Sequence, residues 1–495
     1  MILFLITLSL IFFSIIANFF SKQKKIFIII SIFLVFSFYF FLTKTFYNVD
    51  CFYPSSKIQY NLFCSNYYNL IIDSLKEHKL YIGEDTGDEH YFFINKNDSK
   101  QKLNLLDTST YKDKIYLYFG ITPVLLFYLP FNFITKLYLT DKFLVFILSC
   151  LIFILSLFLI KKTTQKITDI TNLPINTIII IIFFIGFCNL LPFLLIRSAI
   201  YEVAISNAIF LLLISFCLFY YFIYTESSKK QKILTFFLSL TLCLAVGARP
   251  YYVLFIPVFF FFVIYIKYKE TKNLKHIFKI TVLFLIPCVI YGLFISIYNY
   301  VRFDSIFEFG FKYQINHLDL YNYKPSIKDF LIGLKNNLFL LPDMNEKTIF
   351  SLTKTCEHRL GNDYITGAIW MCPIIFILSF VPFFLKKIYK KDKKIFFFLS
   401  TMTSVIIISV ITTSFFGMVT RYIFEYLSIM IILSVIIYIF YVTKIEDCLL
   451  KNFFNLMLTL FFAYSFFINI SLLLSIYQDS AYYSKEYFYL IKNLF

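Results

Sequence analysis

Apolar runs of 15 to 25 residues recur along the chain, each bounded by a lysine cluster or by turn residues. Runs of that length suit a helix crossing a hydrocarbon core about 30 Å thick, where every backbone polar group must bond within its own segment. The pattern therefore predicts an all-α polytopic membrane protein. Twelve spans follow: Ile2 to Phe20, Ile26 to Leu42, Phe143 to Ile160, Thr177 to Leu195, Ile200 to Tyr224, Ile233 to Gly247, Tyr251 to Ile266, Ile280 to Tyr298, Gly367 to Leu385, Ile395 to Phe415, Tyr422 to Val442 and Phe453 to Ile476. They divide the chain into two N-terminal helices over 1–43, a first extracytoplasmic loop over 44–142, central helices over 143–298, a second extracytoplasmic loop over 299–366, C-terminal helices over 367–476 and an outer tail over 477–495. Both termini then lie outside. The first helix has no small-residue cleavage site after it and reads as a retained anchor.

Within the first loop, Ile121 to Phe133 is apolar but carries Pro123, Pro130 and Asn132. Crossing there would invert every later loop, so it is expected to lie in the outer interface as an amphipathic helix. Ser65 to Leu80 places Tyr68, Ile71, Ile72 and Leu75 on one helical face, with Ser65 or Asn66 able to cap it, and predicts a second interfacial helix.

Composition agrees with the pattern: of 495 residues 60% are hydrophobic and the mean hydropathy is +0.77, which excludes a soluble globular, disordered or disulfide-framework protein. The net charge of +17 would suggest a nucleic-acid partner if it were spread over a folded face. It is not. Six short connections, at 21–25, 161–172, 225–232, 267–279, 386–394 and 443–451, hold 22 Lys against 6 acidic residues, whereas 44–142 has 11 basic and 11 acidic residues and 299–366 has 8 of each. By the positive-inside rule the lysine-rich connections face the cytoplasm and the long loops face out. The charge reports topology, and no nucleic acid is implied.

Six of ten cysteines, Cys150, Cys188, Cys217, Cys243, Cys288 and Cys448, fall in or beside spans and read as packing residues. Cys51 with Cys64, and Cys356 with Cys372, lie near the oxidising side, where each pair could be joined. No cysteine is spaced with a histidine as metal ligands are, and the five histidines form no spaced pair, so no metal site is expected. A divalent cation has only the acidic pairs Glu84-Asp85 and Asp88-Glu89 as candidate ligands, and these read as solvated surface.

The sharpest chemical signal is arginine. Only 5 of 46 basic residues are Arg, and all five, Arg197, Arg249, Arg302, Arg359 and Arg421, fall at outward-facing helix ends or outer loops. Guanidinium presents a planar fork to phosphate or carboxylate and stays charged near hydrocarbon, so the set predicts a lipid-phosphate site at the outer face. Arg249, in Gly247-Ala248-Arg249-Pro250, sits between apolar runs of 15 and 16 residues, short enough to bring that turn to headgroup depth. The alternative is snorkelling, or pairing with carboxylates such as Glu202 and Glu425. The second loop opens with Tyr298 to Gln314, which mixes Arg302, Asp304, Glu308 and Lys312 with aromatic rings. Rings that stack on sugar faces, interleaved with polar partners, suit carbohydrate; an interfacial aromatic belt is the other reading.

The run Tyr67 to Tyr81, then Asp107 through Tyr111, Lys114, Tyr116, Tyr118, Phe119, Gly120 and Pro123, resembles the first extracytoplasmic loop of bacterial membrane glycosyltransferases of the GT-C fold, related to protein mannosyltransferases and aminoarabinose transferases. Tyr201-Glu202-Val203-Ala204, Gly247 to Pro250, Asn299 to Gln314, and Arg421-Tyr422 with Glu425 resemble the same group. The resemblance implies a GT-C bundle in a bacterial cytoplasmic membrane, taking a sugar from a polyprenyl-phosphate donor to a lipid, glycan or protein acceptor with inversion, among membrane lipids. It implies Arg249, Arg421, Arg197 and Arg302 as phosphate holders, and Tyr68, Asp107, Lys114, Tyr118, Glu308 and Tyr313 as sugar or acceptor contacts. In that family an acidic residue precedes the tyrosine corresponding to Tyr68, yet this chain has Phe63-Cys64-Ser65-Asn66. Asp50, nearest the membrane, is the first choice for the base and Asp73 the second. A catalytically silent lipid-glycan binder or translocator on the same scaffold is the alternative, and a channel or secondary transporter ranks last.

Overall fold

The computed structural model describes residues 2–19, 23–45, 52–53, 67–85, 92–96, 99–103, 108–169, 173–314, 326–345, 349–351, 353–354, 364–416 and 420–479. It shows a polytopic helical protein: among these residues nine helices are long and apolar enough to cross a membrane. Every span expected from the sequence coincides with helix, although those at 2–20, 233–247 and 367–385 are not among the nine, and two spans are broken. The span at 2–20 is described as Ile2–Phe19. The span at 177–195 is two helices, Ile175–Phe187 and Leu191–Arg197. The span at 367–385 runs through a short helix, Ala368–Met371, a 3₁₀ stretch, Pro373–Phe380, and the helix Val381–Lys391, because Pro373 and Pro382 remove backbone donors.

Hydroxyl groups are carried inside apolar helices at little cost by bonding back to their own turn. Ser215 donates to Leu211 O at 2.9 Å, and Ser414 to Val410 O at 2.7 Å. Polar connections carry the caps: Asn273 Oδ1 accepts from His276 N at 3.2 Å, and Ser326 and Asp329 form a reciprocal capping box.

The chain forms two compact units, each discontinuous in sequence. One comprises 1–48, 149–196 and 325–495. In it the Thr420–Val442 helix is the core element, its apolar window wholly buried, and the Ile175–Phe187 helix packs with the first two helices and with Cys448–Asp479. Cys372 is buried here; Cys356, Cys51 and Cys64 lie outside the described residues.

The other unit comprises 49–148 and 197–324. Its long helices include Ile200–Tyr224, Ser228–Val246, Phe255–Thr271 and Leu274–Phe303. The first loop adds a feature the helical reading did not contain, a five-stranded antiparallel sheet in the order Ser99–Leu103, Phe92–Lys96, Tyr81–Asp85, Lys114–Tyr116, Ser109–Tyr111. Glu84 and Asp85 are strand residues there, and Asp88 and Glu89 lie outside the described residues.

The expected interfacial helix at 65–80 is Tyr67–Lys76, but its first six residues are all buried, so it is embedded in the unit. Its Asn69 Nδ2 donates to Leu139 O at 2.8 Å. The segment at 121–133 is a π-helical turn, Val124–Tyr128, followed by the helix Leu129–Thr135. Pro130 cannot donate to a carbonyl four residues back, and the wider turn ahead of it relieves that clash. Phe133 and Ile134 are exposed while Val124 and Tyr128 are buried, the two-faced pattern of an interfacial element.

Candidate functional site

The site starts from a proline. Pro250 has no N–H to continue the Ser228–Val246 helix and pushes the preceding residue to extended geometry, so Arg249 has φ −140° and ψ 104°. Its amide still donates to Ala245 O at 2.9 Å, and a 3₁₀ turn, Pro250–Leu254, leads into the next helix. The two helices flanking this turn are longer than the apolar runs that suggested them, 19 residues and 22 counting the 3₁₀ turn. The lysine-bearing ends at 228–232 and 267–271 continue the helix, with Lys267 bonded to Glu270, so helix length does not draw the turn inward.

Two glycines fix the turn against the first loop. A Cβ built on Gly120 would lie 1.9 Å from Gly247 O, and one on Gly247 would lie 1.6 Å from the Tyr291 hydroxyl. Thr122 N donates to Gly247 O at 3.3 Å, and Thr122 Oγ1 and Tyr291 Oη share a hydrogen bond of 2.6 Å.

Around this contact opens a cavity of about 70 Å³ lined by Tyr118 to Ile121, Val246 to Pro250, Ile295, Tyr298, Asn299, Arg302 and Phe309. It could hold one small anionic group or a few waters. Arg302, only 4% exposed, donates from one terminal nitrogen to Leu117 O at 2.8 Å and from the other to Asn299 Oδ1 at 2.8 Å. Its guanidinium lies 3.9 Å from the Tyr298 ring centroid and 4.6 Å from that of Phe303. Its fork is thus occupied within the protein, and only the buried Nε lacks a partner among the described residues. Arg249 is half-buried, 6.0 Å from the Tyr251 ring.

Two buried phenols lie here: Tyr298 lines the cavity, and Tyr68, outside its lining, is near enough to Arg249 and Tyr298 to feel their charge. Tyr68 and Tyr298 are buried, and neither hydroxyl has a hydrogen-bond partner among the described residues. Burial pushes the Tyr68 phenol well above its ordinary range, with Asp141 pushing the same way and the nearby Arg249 cation opposing, so Tyr68 remains a neutral donor. Its ring lies 5.1 Å from that of Tyr128, whose hydroxyl donates to Asp141 Oδ1 at 2.5 Å. Asp141 is 2% exposed and was not among the candidate residues. The signal that could have singled it out is the adjacent Lys142, buried beside it at the start of the Asp141–Ile167 helix.

The other candidates are spread more widely. Asp50, Asp107 and Arg359 lie outside the described residues. Asp73 accepts from the Tyr138 hydroxyl, with Lys76 Nζ at 3.6 Å, and does not line the cavity. Lys114 lies 4.8 Å from the Tyr81 ring. Glu308 Oε1 accepts from Gly310 N at 2.7 Å and Lys312 N at 3.3 Å, which shapes the loop that Tyr313 closes by stacking on Phe303. Arg197 ends the Leu191–Arg197 helix. Arg421 belongs to the other unit, at the start of Thr420–Val442, with its guanidinium 5.6 Å from the Tyr422 ring and Glu425 buried one turn on. Glu202 Oε2 accepts from Ala199 N at 3.2 Å. No group of three or more His, Cys, Asp or Glu able to hold a metal occurs among the described residues.

No family profile matches the chain, and no curated protein matches it. Among solved structures it is similar to an oligosaccharyltransferase of Archaeoglobus fulgidus in its apo form, with 13% identity and a TM-score of 0.43. The match covers 89% of this chain and 56% of that one, so the chain spans about half the length of the structure it matches.

Proposed function

We propose that this protein is a membrane glycosyltransferase of the GT-C type, moving a sugar from a polyprenyl-phosphate donor to a lipid, glycan or protein acceptor at the outer face of a bacterial cytoplasmic membrane, with inversion. One observation carries the reading. Parts of three runs that resemble that family, far apart in sequence, meet at one cavity: Tyr118 to Gly120, Gly247 to Pro250, and Asn299 with Arg302 and Phe309.

Inversion breaks the bond between the anomeric carbon and the donor phosphate while the acceptor oxygen forms a new one from the opposite face. A carboxylate takes the acceptor proton, with Asp50 the first candidate and Asp73, held by Tyr138 and Lys76, the second. The departing lipid phosphate gains negative charge, which Arg249 offsets directly while the Tyr298 and Tyr68 hydroxyls donate to it. Arg302 acts through Tyr298, holding that ring in place. Arg197 is assigned to the donor's phosphate side, and Tyr118, Asp107, Lys114, Glu308 and Tyr313 to the sugar and acceptor.

Purified protein in lipid nanodiscs, supplied with a radiolabelled polyprenyl-phosphate sugar, tests the assignment. Arg249→Lys should abolish transfer while leaving membrane insertion intact, since a point charge does not replace a fork. Normal turnover by that variant would remove Arg249 from the phosphate site.

A second reading, a silent lipid-glycan binder or translocator on this scaffold, is favoured by a specific observation: among the described residues no carboxylate lines the cavity. Such a protein would retain the label without passing it on.

A further inference from the structure

We propose that Lys387, Lys391 and Lys444 together form a binding site for the phosphate headgroup of an anionic phospholipid. The site is independent of the cavity described above and lies in the unit that contains 325–495.

Packing fixes the three side chains relative to one another. Lys387 Nζ lies 4.9 Å from the Tyr441 ring centroid and Lys444 Nζ 3.9 Å from that of Phe440, and the two rings are neighbours at 5.3 Å. Lys391 Nζ donates to Ile167 O at 2.6 Å; the next residue, Thr168, is hydrogen-bonded through its side chain to Thr443, which immediately precedes Lys444. Three ammonium groups are thereby gathered at one end of this unit's helices, and all three are exposed to a ligand.

Their charges are felt mutually. Partial burial, then Lys391 and Lys387, all weaken the hold of Lys444 on its proton. Two of the three carboxylates of these connections have other work: Asp392 Oδ1 accepts from Lys394 N and Ile395 N, and Asp447 Oδ1 from Leu450 N, each capping the helix that follows, while the exposed Glu446 leaves three lysines against one acid. Like charges held together by rings and a carbonyl are unfavourable alone and favourable around an anion. Bidentate geometry is not required, because phosphate accepts from ammonium groups as point charges.

The surroundings favour a lipid over a free ion. Phe383, one turn before Lys387 on the same helix, is 64% exposed, and Phe453, on the helix that follows Lys444, is 53% exposed. An acyl chain can lie on this apolar surface while its headgroup reaches the lysines, the arrangement of a basic pocket at a membrane interface.

Native mass spectrometry of the full-length protein in detergent, with equal amounts of dioleoyl phosphatidylglycerol and dioleoyl phosphatidylcholine, tests the site. Wild type should retain phosphatidylglycerol preferentially, and the preference should fall roughly fivefold for each of the three lysines changed to Gln. A control bearing Lys161→Gln, Lys230→Gln and Lys275→Gln, exposed lysines elsewhere with the same summed charge, should keep it. If the triple site variant fails to fold, the single exposed change Lys444→Gln reads the same effect. Equal retention of the two lipids by wild type, or equal loss in the control, would overturn the proposal. So would full displacement of phosphatidylglycerol by excess inorganic phosphate, which would make this a site for the free ion.

Discussion

The backbone of Gly120 rests directly against the carbonyl of Gly247, 127 positions later in the chain, so that a methyl on Gly120 would come within 1.9 Å of that oxygen. The contact ties the first long loop to the turn that carries Arg249. Gly120→Ala should therefore displace the turn, costing about 1–3 kcal/mol as overpacking against backbone that cannot rotate away. Thermal unfolding in detergent should show the loss, and capture of a labelled polyprenyl-phosphate sugar should fall with it. An unchanged melting temperature would show that the two segments part readily.

Arg302 and Arg249 line one cavity but should respond differently to replacement by lysine. Both terminal nitrogens of Arg302 serve buried acceptors, so Arg302→Lys should cost about 2–3 kcal/mol of stability, as a charged hydrogen bond is lost and an acceptor is left dry. Arg249→Lys should instead act on transfer, which it abolishes. Paired transfer assays and denaturation curves of the two variants decide the matter, and full transfer by Arg249→Lys, or unchanged stability of Arg302→Lys, would contradict the division of roles.

Tyr298 holds a buried hydroxyl with no partner among the described residues. A dry, unbonded hydroxyl is unfavourable in the empty protein. Tyr298→Phe should consequently be neutral or stabilising by up to about 1 kcal/mol, while weakening retention of the lipid-phosphate sugar several-fold. Tighter retention in that variant would count against a donor role.

The solvent-exposed carboxyl of Asp304 is held below the usual carboxylate range by hydrogen bonds from Lys112 and then Tyr111, and Lys112 is raised in return. A depressed folded pKa contributes stability above the unfolded value, near pH 4, which is lost as pH falls through the folded value. The raised lysine contributes below about pH 10 and loses its share above it. The link between 112 and 304 is thus complete from about pH 4 to pH 10. Hydrogen exchange over 299–314, corrected for intrinsic rates, should quicken below pH 4 in the natural protein and show no such step in Asp304→Asn.

The membrane helices were legible because their signal is long and redundant: losing two residues from Leu274–Phe303 changes nothing about its identity. The loop sheet was not, since Phe92–Lys96 and Ser99–Leu103 are short strands in a polar stretch whose pairing partners lie outside any local window. Proline effects fell between these cases. Pro250 marked a turn from sequence alone, whereas the π-helical turn before Pro130 depends on how the next helix is seated. The scarcity of arginine and its place at helix ends and in loops could be read, but not what each guanidinium holds. Arg302 is spent on Leu117 and Asn299, and nothing in the spacing of those residues announces it.

The apolar window of Thr420–Val442 is 100% buried, while that of Leu274–Phe303 is 22% buried. A rod clad entirely in neighbours meets no fatty acid, so bilayer thickness and fluidity cannot act on it directly. They act on the Leu274–Phe303 helix, whose last turn bears Arg302, and through it a change in host lipid would be felt at the cavity.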